Sequence, residues 1–64
     1  MAGFYRDLIA VLAAAGCYLV RPGKGDHEIW FSPINQKHFT VDHGTKSRHT
    51  ANESLKQAGL PKQF

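Results

Sequence analysis

Pro22-Gly23-Lys24-Gly25-Asp26-His27-Glu28-Ile29-Trp30-Phe31 reads as a turn that runs directly into a strand. Pro22 offers no amide hydrogen, so it suits the end of an edge strand rather than the middle of a ladder. Gly23 and Gly25 admit left-handed or closely packed backbone that other residues resist. From Asp26 onward the side chains alternate, with His27, Ile29 and Phe31 on one face and Asp26, Glu28 and Trp30 on the other. Upstream, Cys17-Tyr18-Leu19-Val20-Arg21 has the composition of a partner strand. Downstream, Ser32-Pro33-Ile34-Asn35-Gln36 is a second turn, and His38-Phe39-Thr40-Val41-Asp42 alternates again. Connections this short make the strands an antiparallel meander.

Both flanks of the meander are helical. Phe4, Leu8, Leu12 and Ala15 recur at helical spacing, and Tyr5, Ile9 and Val11 widen the stripe. The spacing predicts a helix over 3–15, with Gly16 as a left-handed stop. Thr50-Ala51-Asn52-Glu53 has capping-box spacing, which predicts a second helix starting there. Ala51, Leu55 and Ala58 form its inner face, Gly59 closes it, and Pro61 forbids continuation. The expected fold is α+β: an α-β-β-β-α two-layer sandwich, a three-stranded antiparallel sheet with both helices on one face. A single domain over 1–64 is expected, with the layout of double-stranded RNA-binding domains.

Size and charge narrow the classes. A chain of 64 residues buries only about 60% of the surface its unfolded form exposes, so a partner that covers apolar surface would add stability. Cys17 is alone, which excludes an intramolecular disulfide, and no Cys/His spacing fits structural zinc. The formal net charge of +3 fits polyanion binding without proving it. Leu8 to Cys17 resembles the apolar part of a secretion signal, but Asp7 abuts it and Arg6 is the only basic residue before it. It is read as a buried helix, too short to span a bilayer. The expectation is a cytoplasmic protein with no membrane partner.

The histidines are the candidates for chemistry, because imidazole titrates near cellular pH. RNA carries its own nucleophile, the 2′-hydroxyl, so cleavage needs a proton acceptor or donor and stabilisation of a charged phosphorane. His27 can act as base or acid, or it can simply cap its turn. His38 begins the third strand and can lie near His27, or be an exposed strand end. His43, before Gly44, can contact phosphate, while His49 is expected in solvent. No histidine pair has metal-ligand spacing on a helix, so no metal or cofactor is expected. Lys24, Arg21, Lys46 and Arg48 are either phosphate contacts or solvated charges. Trp30 is read as core in preference to an exposed platform for a base. Cys17 is a small buried strand residue. Alternation leaves His27 beside Ile29 and Phe31 unless a bulge at Gly25 re-aims it. An apolar open face is alternatively one that a partner covers.

Together these pieces resemble the HicA toxins, small ribonucleases of toxin–antitoxin systems. The resemblance rests on Ala14-Ala15-Gly16 before an aromatic-bearing strand, Gly25-Asp26-His27, Phe39-Thr40-Val41 leading to His43-Gly44, and Leu55-Lys56-Gln57-Ala58-Gly59-Leu60. It implies a double-stranded-RNA-binding-like fold that cleaves mRNA without a metal, with His27 as the catalytic residue. It also implies a HicB-like antitoxin that binds the toxin and covers the site. Lys24, Gly25, Arg21, Lys46, Arg48 and His43 are then the expected RNA contacts. Two departures stand out. Asp26 replaces the family's serine, and Asp42 stands where a proline usually leaves the third strand. Negative charge beside His27 favours its protonated form and repels an incoming phosphate. The rival readings are a non-catalytic RNA-binding module of the same fold and a domain that binds protein alone.

Overall fold

The computed structural model describes residues 3–64. Its elements run α1 (Tyr5–Ala14), β1 (Tyr18–Pro22), β2 (His27–Ser32), β3 (Lys37–Asp42) and α2 (Arg48–Gln57). The strands form one antiparallel sheet in the order β1-β2-β3, the meander that the short turns require.

Both helices end by the same device. After α1 the Cys17 amide donates to Leu12 O at 3.0 Å and the Gly16 amide to Ala13 O at 3.0 Å. After α2 the Leu60 amide donates to Leu55 O at 2.9 Å and the Gly59 amide to Lys56 O at 3.0 Å. Each pair is a Schellman motif, and it needs a residue with positive φ at the turn. Gly16 at +93° and Gly59 at +84° supply it. Gly59→Ala is expected to destabilise the fold by about 1–2 kcal/mol, the cost of a side chain in left-handed backbone. A Cβ there would also stand 3.2 Å from Ile34 Cγ2. Thermal melting checks this, with a midpoint lowered by roughly 4–8 °C per kcal/mol for a domain this small.

The start of α2 differs from the sequence reading. Ser47, with extended backbone, is the N-cap, and its Oγ accepts from the Thr50 amide at 3.1 Å. The helix therefore begins at Arg48, and Thr50 lies inside its first turn rather than capping it. Ser47-x-x-Thr50 offers a side-chain acceptor three residues earlier, and its bond to the Thr50 amide starts the helix there.

One face of the sheet is closed. Trp30, Phe39 and Val41 point inward and pack with Leu8 and Leu12 of α1 and with Ala51, Leu55 and Ala58 around α2. Cys17 joins this core as a buried free thiol. Ser32 is fully buried among them, and its hydroxyl donates to Ala58 O at 2.7 Å, tying the β2–β3 loop to the end of α2. Asn35 Nδ2 adds a bond to Gln57 O at 2.9 Å.

The other face is open. The β2–β3 register runs unbroken from His27↔Asp42 to Ser32↔Lys37, so no bulge re-aims His27. The irregularity lies instead on β1, between Leu19 and Arg21, and leaves Val20 without a partner in the ladder. Gly25 uses its freedom for the turn and not for a bulge, with φ +63°.

Candidate functional site

The β1–β2 turn is built from its glycines. The Gly23 amide donates to His27 O at 2.7 Å and the His27 amide to Lys24 O at 3.1 Å. A Cβ on Gly23 would come within 3.0 Å of that His27 oxygen, so the close approach needs glycine. Gly25 and Asp26 are the central residues of the Lys24–His27 turn, and only Gly25 has positive φ. That pattern is the type II′ turn, whose twist suits a hairpin. Lys24, Gly25, Asp26 and His27 are all exposed. His27 is thus fixed through its backbone while its imidazole remains accessible on the open face.

The exit of β3 is bonded to this turn. The His43 amide donates to Asp26 O at 2.7 Å. Asp42 Oδ1 accepts from the Gly44 amide at 2.9 Å, and Asp42 O accepts from the Thr45 amide at 3.0 Å and from the Thr45 hydroxyl. The Phe4 amide then donates to Thr45 O at 3.0 Å, which anchors the loop to the start of α1. Asp42 therefore organises the loop that follows it.

On the helix side of the same region lies an open groove of about 780 Å³, lined among others by Tyr5, Arg6, Asp7, His43 and Lys46. The His43 ring lies against Tyr5, with centroids 4.4 Å apart. Glu28, one residue after His27, points to this side. Its carboxylate accepts from the Tyr5 hydroxyl at 2.8 and 2.9 Å and from Trp30 Nε1 at 3.0 Å. Burial, reinforced by bonding to and repulsion from Glu28, pushes the Tyr5 phenol up to about 12. The folded state then holds the Tyr5 proton more tightly than the unfolded chain, whose phenol titrates near 10. That part of the stability is present below about pH 10 and is lost as pH rises through 12. Glu28→Gln is expected to bring the Tyr5 titration, followed by phenolate absorbance, back towards 10.

The expected site residues divide between these surfaces. Arg21 pairs with Ile29 and shares the open face with His27. Lys24 and Gly25 occupy the turn. His43 and Lys46 line the helix-side groove, and Arg48 begins α2 as an exposed first-turn residue. His38 lies opposite Phe31, at the far end of the sheet from His27. Trp30 is 7% exposed and belongs to the core. Among the described residues no three His, Cys, Asp or Glu side chains gather into a metal-holding group. Tyr5, Arg6 and Glu28 were not singled out as functional from sequence. An acid on the Trp30 face of a strand was the available signal, because a carboxylate there requires donors.

The family of the HicA toxin of bacterial toxin–antitoxin systems matches residues 5–60, from the first residue of α1 to the capping residue after Gly59. The chain belongs to the HicA toxin family. No curated protein and no solved structure gives a match. Membership of the HicA family makes it a toxin and implies an antitoxin as its partner. The match includes every element described above, so the histidine turn and the β3 exit both lie within the HicA domain. Among the described residues no helix is long and apolar enough to cross a membrane.

Proposed function

We propose that this HicA-family toxin is a metal-independent endoribonuclease that cleaves mRNA in the cytoplasm, with His27 as general acid/base. The observation that carries the reading is an exposed histidine on hydrogen-bonded backbone, at the mouth of a glycine turn with its own lysine, inside a HicA domain. The chemistry requires little more. A base takes the proton of a ribose 2′-hydroxyl, and the 2′-oxygen attacks the adjacent phosphorus. The 5′-oxygen of the next nucleotide leaves and is protonated, giving a 2′,3′-cyclic phosphate and a 5′-hydroxyl. Imidazole performs either proton transfer near neutral pH.

Lys24 and Gly25 hold the phosphate at the turn, and Arg21 holds the chain on the open face. His43, Lys46 and Arg48 extend the basic surface along the backbone on the helix side. A HicB-like antitoxin neutralises the toxin by covering this site. The test is incubation of the purified protein with RNA in chelator, with the new ends identified. Cleavage that persists and leaves cyclic phosphates supports the reading. Cleavage abolished by chelator overturns its metal independence. RNA binding without any cleavage leaves the non-catalytic RNA-binding module as the function.

A further inference from the structure

The open face of the sheet carries a row of rings that the reaction above does not use. Tyr18 of β1 pairs with Phe31 of β2, which pairs with His38 of β3. Their rings follow one another across the strands, with centroids 5.6 Å apart from Tyr18 to Phe31 and 5.1 Å from Phe31 to His38. Tyr18 is 56% exposed, and no helix covers this side. Cross-strand aromatic pairs add little to the stability of a sheet. Leaving large rings in water is a poor use of residues in a domain with so small a core.

The charges on this face select the occupant. Arg21 stands between the ring row and His27, and Lys24 follows at the turn. Two acids lie at the His27 end, Asp42 opposite His27 with its Oδ1 bonded to the Gly44 amide, and exposed Asp26 in the turn, and none lies along the ring row. Rings in a row with cations beyond one side of it suit a strand of stacked bases joined by phosphates. Strand addition at the β1 edge is disfavoured, because the break in register at Val20 and the proline at its end interrupt the hydrogen-bonding row.

We infer that the open face is a stacking surface for single-stranded RNA, with bases on Tyr18, Phe31 and His38 and the backbone passing Arg21 towards His27. This rests on the ribonuclease reading and adds to it a substrate class, unpaired RNA. Phe31 and His27 are four residues apart on β2, so the stacked bases lie about 13 Å from the cut phosphate. A duplex cannot use this surface, because its base faces are already stacked on one another.

The probe is a fluorescent single-stranded RNA whose ribose 2′ positions are all O-methylated, which blocks the nucleophile so that binding is read alone. Tyr18→Ala and His38→Ala are each expected to weaken it roughly 5- to 100-fold, while Tyr18→Phe keeps near-parental affinity. A matched duplex of the same chemistry is expected to bind more weakly and to be insensitive to Tyr18→Ala. Circular dichroism and melting of each variant show that the fold is kept. Parental affinity in both alanine variants overturns the stacking surface, and the ribonuclease reading survives if the parent still cuts RNA. Loss of binding in the variants together with no cleavage by the parent supports the surface and removes the enzyme. A parent that sediments as a dimer, dissociated by Tyr18→Ala with RNA affinity unchanged, assigns the face to a second copy and overturns the proposal.

Discussion

His27→Ala is expected to cut RNA about 10²–10⁴-fold more slowly than the parent, the loss typical of one placed acid or base. Its RNA affinity is expected to change little, because Lys24 and Arg21 are the proposed phosphate contacts. The substitution is clean in structural terms. The turn uses the backbone of His27, donating from its amide and accepting at its carbonyl, and alanine keeps both bonds. The side chain is exposed, so the core loses nothing. Single-turnover cleavage at saturating protein separates rate from affinity. A variant that retains more than a tenth of the parental rate would sink the acid/base role. Asp26→Ser probes the same step from the other side. Its carbonyl bond to the His43 amide is backbone and survives, so the change removes one negative charge beside the proposed phosphate position. Tighter RNA binding at low salt is expected, with a gain that fades as salt rises.

Leu12→Ala is expected to lose about 2–5 kcal/mol of stability, and the parent has roughly 3–10 kcal/mol in all at this length. Leu12 is fully buried in α1, in the single core shared by both helices and the sheet. Its carbonyl also accepts the Cys17 amide that closes the helix, and alanine preserves that bond. The loss is thus one of packing, since the cavity opens where α1 meets the sheet and a chain this short has few atoms with which to refill it. A urea titration measures the midpoint and slope together. An unchanged midpoint would show that α1 contributes little to the core. If the lower end of the stability range applies, the variant is largely unfolded at growth temperature, and toxicity disappears although every site residue remains.

The fold was legible in the sequence wherever one physical cause had one outcome. Gly16 and Gly59 end helices because positive φ is what their capping bonds require. Trp30, Phe39 and Val41 alternate with polar residues because only one face of the sheet is covered. The sequence was ambiguous where one signal serves two structures. Gly25 satisfies a turn as well as a bulge, and the bulge formed at Val20, which carries no glycine to mark it. Ser47 and Thr50 are both competent N-caps three residues apart, and the sequence alone favoured the later one. The site was less legible than the fold. His27 stands out by its place after the glycine turn. The separation of Arg21 from Lys46 and His43 onto different surfaces depends on how the β3 exit folds back against α1, through bonds from Phe4 and Thr45 that no periodicity encodes.

The placement of both helices on one face also sets how much of the chain must be present before the toxin can fold. All strand pairing is between chain neighbours, so the sheet is available early and its contacts form fast. The inner surface of Trp30, Phe39 and Val41 stays unfilled until Ala51, Leu55 and Ala58 arrive from the last helix. A sheet with one helix and half a core is marginal in water. A chain without the last helix lacks half of the packing on which the sheet that carries the histidine turn rests. A chain cut short before α2 is therefore expected to be harmless in cells, although His27 and its turn are intact.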